Sequence, residues 1–235
     1  MVEVIASVLP FKTFEELKNK IGSLRGVVET IQIDFCDGIF VPSQTWPFTS
    51  GGFEDYEFQK IMREEQGLPF WEDFDFEIDL MVADAVENFD IYMKLGSKRI
   101  IFHMEAMESL EDFRNFLEGI DLYIRDSVQI GIAFKPGTPL ADVFPLISFV
   151  DFVQCMGNDK VGFGGVSLDE KVYERIELLR EKYPDLPIEV DIGVNEQTAP
   201  LLVKAGATKL ITGSALFNSL DKIGLVETLS GLATK

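Results

Sequence analysis

Short runs rich in valine, isoleucine and phenylalanine recur along the chain, separated by longer stretches with mixed polarity. The runs lie at residues 2–9, 29–35, 75–82, 98–103, 128–134, 150–155, 187–191 and 208–212. Between them, apolar residues return at helical spacing, as Phe14, Leu17 and Ile21 do. Apolar strands that alternate with amphipathic helices are typical of a parallel sheet covered on both faces. Eight such units predict a closed α/β fold, a single (β/α)8 TIM barrel over residues 1–235.

One long irregular segment interrupts this alternation after the second predicted strand. It runs from Gly38 to Phe53, is rich in Gly, Pro, Ser and Thr, and leads into a helix-like stretch through Arg63. Loops that follow barrel strands carry the functional groups in this architecture. Its distal part, Gln44 to Phe53 with Trp46 and Phe48, fits two interpretations: a lid over the site, or a solvated connector with one packed aromatic.

The charge balance narrows the possible partners. The chain carries 40 acidic and 21 basic residues, for a net charge of -19, which would repel nucleic acid and anionic membranes. The N-terminal residues lack the basic and apolar regions of a signal peptide, and no apolar run approaches the roughly 20 residues of a membrane span. Cys36 and Cys155 are expected to be reduced thiols. These features predict a soluble, cytoplasmic protein with no nucleic acid or membrane partner.

Aspartates at the ends of predicted strands are the first candidate functional groups. Asp34, Asp79 and Asp191 are each flanked by apolar strand residues. A single such residue is often a surface carboxylate or a helix cap. Because isolated buried carboxylates are costly, the three together favour a functional site in the barrel mouth. Asp37 is expected instead to organise the turn into Gly38.

Glycines after the last three predicted strands are the second candidate group. Without a Cβ atom the backbone can approach a phosphate closely, and free amides at a helix start attract an anion. Any one of these glycines alone could be a simple turn residue. In barrels of this kind, however, these loops are the usual phosphate site, and neutral amides suit an acidic protein. The predicted phosphate-binding residues are Gly162, Phe163, Gly164, Gly165, Gly193, Gly213 and Ser214.

His103 is the only histidine and ends the fourth predicted strand. This position fits a side chain that orients or hydrogen-bonds groups in the active site. A satisfied core histidine is the competing interpretation.

Several motifs, in order along the chain, resemble those of the ribulose-phosphate 3-epimerase family. They are Asp34 to Pro42, Leu80 to Val82, Phe102 to Glu105, Gly131 to Thr138, Gly162 to Gly165, Val190 to Asp191 and Ala205 to Phe217. The resemblance implies a barrel of the ribulose-phosphate-binding type that binds a small phosphorylated sugar. It also implies an isomerase of carbohydrate metabolism, acting on a ketose phosphate such as the pentose phosphate ribulose 5-phosphate, and an assembly into homo-oligomers.

The resemblance assigns roles to individual residues. Asp34 and Asp191 correspond to the family's acid and base, which act on opposite faces of C3. Inversion at carbon requires two such proton carriers. The substrate contacts implied by the same resemblance are Ser7, Met81, His103 and Met156.

The family's divalent metal is held by two histidines and two aspartates, and here the histidine positions carry Gln32 and Asp79. The corresponding ligand set is therefore Gln32, Asp34, Asp79 and Asp191. Such oxygen donors disfavour zinc, so we expect Mg, Mn or Fe rather than zinc, or no metal. Without a metal, the clustered carboxylates should raise one another's pKa and share protons.

Two other functions stay open at this point. One is a phosphate-ester-binding barrel that has lost epimerase activity. The other is a sugar-phosphate lyase of the related decarboxylase and hexulose-phosphate synthase type, which carries an Asp-x-Lys-x-x-Asp motif on strand three. Asp79 and Asp84 match its acids, but Met81 replaces the lysine that would stabilise the carbanion, so the lyase is disfavoured.

Overall fold

The computed structural model describes residues 1–233, in which eight parallel strands close into a barrel in chain order. The strands are β1 Glu3–Val8, β2 Thr30–Cys36, β3 Asp75–Met81, β4 Arg99–His103, β5 Gln129–Phe134, β6 Phe152–Met156, β7 Ile188–Asp191 and β8 Lys209–Thr212. The predicted (β/α)8 TIM barrel is confirmed, and each predicted strand end lies within two residues of the observed one. The single domain over residues 1–235 stays a prediction, and its last two residues lie outside the described part.

Helices cover the outside of the barrel. They are α1 Phe14–Gly22, α2 Tyr56–Met62, α3 Phe89–Met93, α4 Leu110–Gly119, α5 Leu122–Ser127, α6 Leu140–Val143, α7 Lys171–Lys182, α8 Ala199–Ala205, α9 Ser214–Asn218 and α10 Lys222–Ser230. Short 3-10 helices span Phe48–Ser50, Gly52–Glu54, Met104–Ala106 and Phe144–Phe149. α1 shows how the sequence fixes a helix: Thr13 caps its first turn by accepting a hydrogen bond from the Glu16 amide, and Leu17 and Ile21 are buried.

Alternation along the strands divides the hydrophobic residues into two cores. Outward-facing residues such as Ile31 and Ile33 pack against the helices. Inward-facing residues form a separate core inside the barrel, which includes Cys36, Met81 and Met156. Because successive strand residues point to opposite faces, polar residues within the strands are directed into the barrel interior, where the site lies.

A buried ionic network closes the N-terminal end of that interior. Arg99 donates to Glu77 at 2.7 Å and to Glu3 at 3.0 Å. Lys209 donates to Glu189 at 2.6 Å. Glu77 and Glu189 are fully buried, so these pairs replace the hydration that burial removes.

The segment after β2 is anchored by aromatic packing. Trp46 is only 1% exposed and its indole nitrogen donates to Asp55 at 2.8 Å. Phe48 packs edge-to-face on Phe35 and lies beside Phe53. Several aromatics are thus packed, rather than the one expected of a connector, and the choice between lid and connector stays a prediction.

Two other predictions concern the environment of the chain. Cys36 and Cys155 are buried free thiols, as expected. Throughout residues 1–233 no helix has the length and apolar character needed to cross a membrane.

Candidate active site

The three aspartates predicted from the strand ends meet in the barrel mouth. Asp34 lies in β2, Asp79 in β3 and Asp191 at the end of β7. All three are buried, and Asp34 is directly opposite Asp79 in the sheet register. The barrel thus holds three carboxyls away from water, where an ionised carboxylate is costly unless it is paired or hydrogen-bonded.

One amide links two of these aspartates. Gln32 Nε2 donates to Asp34 Oδ1 at 2.8 Å and lies 3.4 Å from Asp191 Oδ2. The other Asp34 oxygen accepts from the Ser7 hydroxyl at 2.7 Å. Gln32 and Asp34 share the inward face of β2 because they are two residues apart. Asp34 and Asp191 are therefore close enough for a single NH2 group to contact both.

Burial and mutual repulsion favour the protonated forms of these two carboxyls. Burial, followed by the charges of Asp191 and Asp79, holds the pKa of Asp34 well above its ordinary value. Burial and the Asp79 charge raise the pKa of Asp191 to about 7. The pair can therefore hold a proton near neutral pH, which is what acid/base work requires.

Backbone geometry fixes the Asp191 carboxylate. Its Oδ1 accepts from the Ile192 amide at 2.7 Å. Ile192 adopts a φ of 75°, a left-handed conformation that is unfavourable for a β-branched residue. This left-handed residue thus directly follows the carboxylate to which its amide donates.

Asp79 has a different set of partners. His103 Nε2 contacts Asp79 Oδ1 at 2.8 Å, and Gln154 Nε2 donates to Oδ2 at 3.2 Å. All three residues are fully buried. Burial by itself would lower the pKa of His103, but the Asp79 carboxylate outweighs it and the net shift is upward. His103 is thus committed to holding Asp79.

A cleft at the mouth joins the acidic pair to the glycine loops. It is lined by Ser7, Leu9, Asp34, Met81, Gly162, Phe163, Gly164, Gly165, Val166, Asp191, Ile192, Gly193, Val194, Ile211, Gly213 and Ser214. All seven predicted phosphate-binding residues are included. Of the predicted substrate contacts, Ser7 and Met81 line the cleft, whereas His103 and Met156 do not.

Two of these glycines are required by the backbone. Gly162 has a φ of 81°, and a Cβ atom there would lie 2.5 Å from the Ser43 hydroxyl. Gly193 has a φ of 76°, and its Cβ would lie 2.5 Å from the Leu168 amide nitrogen. Both positions combine a left-handed conformation with close packing, so the loops reach the mouth only because glycine occupies them.

Asp37 serves the loop rather than the cleft. Its Oδ1 accepts from the amides of Ile39 and Phe40 at 2.7 and 2.9 Å. Its Oδ2 accepts from Ala83 at 2.7 Å. The prediction that Asp37 organises this turn is confirmed.

Comparison with known proteins places the chain in a family. The model of the ribulose-phosphate 3 epimerase family matches residues 3–217. The chain belongs to the ribulose-phosphate 3-epimerase family. The ribulose-phosphate 3-epimerase of Bacillus subtilis is 29% identical over 237 residues, covering 98% of this chain and 99% of the relative. That of Eremothecium gossypii is 30% identical over 194 residues, covering 83% and 77%. The family is one of isomerases, so the predicted enzyme class is confirmed.

Solved structures similar to this epimerase-family chain share its barrel. The 3-hexulose-6-phosphate synthase of Salmonella typhimurium has a TM-score of 0.65 at 14% identity, with 97% of each chain covered. The 3-keto-L-gulonate-6-phosphate decarboxylase of Vibrio cholerae has a TM-score of 0.64 at 12% identity, covering 98% of this chain and 95% of the other. Identities this low show the common fold alone.

Sequence reasoning missed one polar residue of this epimerase-family site. Gln154 lies in the middle of β6, an otherwise apolar strand, and contacts Asp79 and the Met156 sulfur. A polar residue inside a buried apolar strand was the available signal, since such a residue needs a buried partner.

The residues at the family's metal positions do not fit a divalent cation as they are arranged. Gln32 presents its NH2 group to Asp34 and Asp191, and an amide nitrogen donates hydrogen bonds instead of electron pairs. Asp79 is already held by His103 and Gln154. In the described range, 1–233, no three or more His, Cys, Asp and Glu side chains are arranged to hold a metal ion.

Proposed function

We propose that this epimerase-family protein inverts C3 of a ketose phosphate, with ribulose 5-phosphate as the first candidate substrate. Family membership and relatives named ribulose-phosphate 3-epimerase support this reaction class. The observation that carries the proposal is the pair Asp34 and Asp191. These buried carboxyls come from different strands, contact one amide, and line the same cleft as the glycine loops.

The glycine loops are proposed to bind the substrate's phosphate. Gly164 and Gly165 follow β6, Gly193 follows β7, and Gly213 with Ser214 follows β8. Their backbone amides can donate to phosphate oxygens without adding side-chain charge. This is the kind of anion site that a chain with a net charge of -19 can provide locally.

The proposed reaction moves one proton off C3 and another onto it. One aspartate, ionised, takes the C3 proton, and the electrons of the broken C–H bond form an enediolate with the neighbouring carbonyl. The other aspartate, protonated, then delivers its proton to the opposite face of C3, which restores the carbonyl with inverted configuration. The two groups exchange protonation states, so either direction of the reaction can begin from one of them. The pKa of about 7 at Asp191 suits this exchange.

The four predicted substrate contacts differ in whether they line the cleft. Ser7 and Met81 line the cleft, so we propose that they touch the substrate directly. His103 and Met156 do not line it. His103 is proposed to be a positioning residue that holds Asp79.

Hydrogen exchange tests the reaction directly. The protein is incubated with ribulose 5-phosphate in D2O, and deuterium at C3 is followed by NMR. We expect deuterium to enter C3 as xylulose 5-phosphate accumulates. The absence of exchange, with or without added Mg, Mn, Fe or Zn, would reject ribulose 5-phosphate, and other ketose phosphates would then be screened.

A phosphate-ester-binding barrel without activity is the competing outcome. In that case ribulose 5-phosphate binds, no ketose phosphate exchanges its C3 proton, and Gly164→Val abolishes binding. A lyase is disfavoured because Met81 occupies the position of the lysine that would stabilise a carbanion. A cytoplasmic location and a homo-oligomeric assembly are retained as proposals.

A further inference from the structure

Gln32 occupies a position that a metal ion would need. It lies on β2 and is fully buried, and it points inward with Asp34, two residues later. Its Nε2 lies between a carboxylate oxygen of Asp34, at 2.8 Å, and one of Asp191, at 3.4 Å. A cation that bridged the two aspartates would have to take the place of this NH2 group.

The two carboxylates alone orient the amide. Among residues 1–233, Gln32 Oε1 is buried without a hydrogen-bond partner, so no hydrogen bond at the oxygen end fixes the orientation of the amide. With Oε1 turned toward the aspartates, three acceptors would face one another and would need a proton or a cation between them. With Nε2 there, each carboxylate receives a donor.

The third carboxylate is not available to a cation beside the pair. Asp79 Oδ1 faces His103 and its Oδ2 faces Gln154. The single imidazole of the chain is thus committed to Asp79. What faces the pair is three donors: the Gln32 amide, the Ser7 hydroxyl and the Ile192 backbone amide.

We infer that Gln32 replaces a metal ion as the positioning residue of the Asp34 and Asp191 pair, so that this centre binds no divalent cation. This inference rests on the proposed function for the role of the pair, but the geometry that carries it is independent of turnover. The amide holds both carboxyls at hydrogen-bonding distance and neutralises neither. Metal binding would release protons from its ligands. The Asp34 and Asp191 pair binds no cation and therefore retains its proton.

Metal titration tests the inference without reference to activity. Purified protein, freed of adventitious ions, is titrated calorimetrically with Mn²⁺ and with Zn²⁺, and its thermal unfolding is followed in parallel. We expect no stoichiometric binding and no metal-dependent rise in the melting temperature. Stoichiometric binding of either ion that Asp34→Asn abolishes would overturn the inference.

An isosteric variant provides a second test, in which metal binding is expected to appear. Gln32→Glu replaces the NH2 group by a carboxylate oxygen at nearly unchanged volume and should create a Mn²⁺ site from three oxygen ligands. We expect stoichiometric Mn²⁺ binding, at least about tenfold tighter than the weakest affinity that the wild-type titration could have detected. The matched control is Gln154→Glu, the same change on β6 against Asp79 only, which should show no such gain.

The possible outcomes distinguish failure of this inference from failure of the proposed function. An equal gain in Gln154→Glu would show that the place between Asp34 and Asp191 is not special, and would overturn the inference. If Gln32→Glu fails to fold, the wild-type titration still decides. A wild type that epimerises ribulose 5-phosphate but binds metal at Asp34 refutes this inference alone. One that binds no metal and exchanges the C3 proton of none of the ketose phosphates screened refutes the proposed function alone.

Discussion

Strands β3 and β7 each place two inward-facing acids two residues apart, one toward each end of the barrel interior. Glu77 and Glu189 lie at the N-terminal end, and Asp79 and Asp191 lie at the mouth. All four are buried, and all four reach the interior because alternate strand residues share a face. The two ends differ in the partners that these acids meet.

At the N-terminal end the partners are permanent cations. Glu77 contacts Arg99 and Glu189 contacts Lys209. Burial and the Glu189 charge raise the pKa of Glu77, while Arg99 and Lys209 oppose that rise. At the mouth the partners of Asp34 and Asp191 are a hydroxyl and two amides, all uncharged. The net pKa of Glu77 is nevertheless raised, so the two ends differ in access and pairing. Asp34 and Asp191 line the cleft, whereas Glu77 and Glu189 are each paired with a cation, so only the mouth places its acids for acid/base chemistry on a bound substrate.

The largest contrast is expected in activity between two positions on β7. Asp191→Asn removes a proton carrier and should lower C3 deuterium exchange by about a thousandfold or more. Glu189→Gln, two residues earlier and fully buried, should leave exchange within a small factor of the wild type. Both variants are compared by NMR exchange rates, with circular dichroism to confirm folding. Equal losses of exchange in the two variants would mean that the two ends of the barrel interior do not differ in function.

In stability, the largest effect is expected at the N-terminal end. Arg99→Met leaves Glu77 buried without its cation and should lower the free energy of unfolding by about 3 kcal/mol or more. The control is Arg25→Met, because the Arg25 pair with Asp73 is at 2.9 Å with both side chains more than a third exposed. Exposed pairs contribute about 1 kcal/mol or less. Urea denaturation measures both, and similar losses would contradict a special role for the buried network.

At the mouth we expect a smaller effect of opposite sign, a substitution that raises the free energy of unfolding. Burial and the charge of Asp79 raise the pKa of Asp191 to about 7, against about 4 for an unfolded chain. As the pH rises from about 4 to about 7, the unfolded state loses this proton while the folded state keeps it, so the free energy of unfolding falls. Above that range Asp191→Asn should be more stable than the wild type. Three pKa units at about 1.4 kcal/mol each set a ceiling of about 4 kcal/mol, and we expect on the order of 2 kcal/mol because the new NH2 group faces the NH2 group of Gln32.

Urea denaturation at acid and at mildly alkaline pH measures this gain. Below a pH of about 4 both states hold the proton, so the gain should vanish there. Asp126→Asn, a change at an exposed residue, is the control and should show little difference at either pH. A variant that is less stable than the wild type at both pH values would mean that the carboxylate form of Asp191 is favoured by the fold.

The sequence was sufficient to predict the barrel and the mouth for a physical reason. Strands buried on both faces read as unbroken apolar runs, and a parallel barrel brings all strand ends to one mouth. Asp34 and Asp191 could therefore be assigned to one site before their distance was known. Asp37 was predictable as a turn residue because the contacts of its Oδ1 are local, to Ile39 and Phe40.

Contacts between strands could not be predicted in this way. Which inward residues meet depends on the stagger of the closed barrel, and no single strand encodes it. For this reason Gln154 beside Asp79, and Arg99 beside Glu77, appeared only in the structure. The bridging role of Gln32 was likewise hidden, since its sequence position is equally compatible with an oxygen ligand and with a donor.

The smallest expected effect is that of a substitution at Gly164, in the lining of the cleft. At Gly164 an added Cβ would meet no atom within 4 Å, so Gly164→Ala should leave the free energy of unfolding unchanged within about 0.5 kcal/mol. If its amide approaches the phosphate, the methyl group should still raise the KM for ribulose 5-phosphate by about tenfold, equivalent to about 1.4 kcal/mol. Gly119→Ala, also without a neighbour within 4 Å but at the end of α4, is the control. An unchanged KM in both variants would place the phosphate away from this loop, because only contact with the substrate distinguishes the two positions.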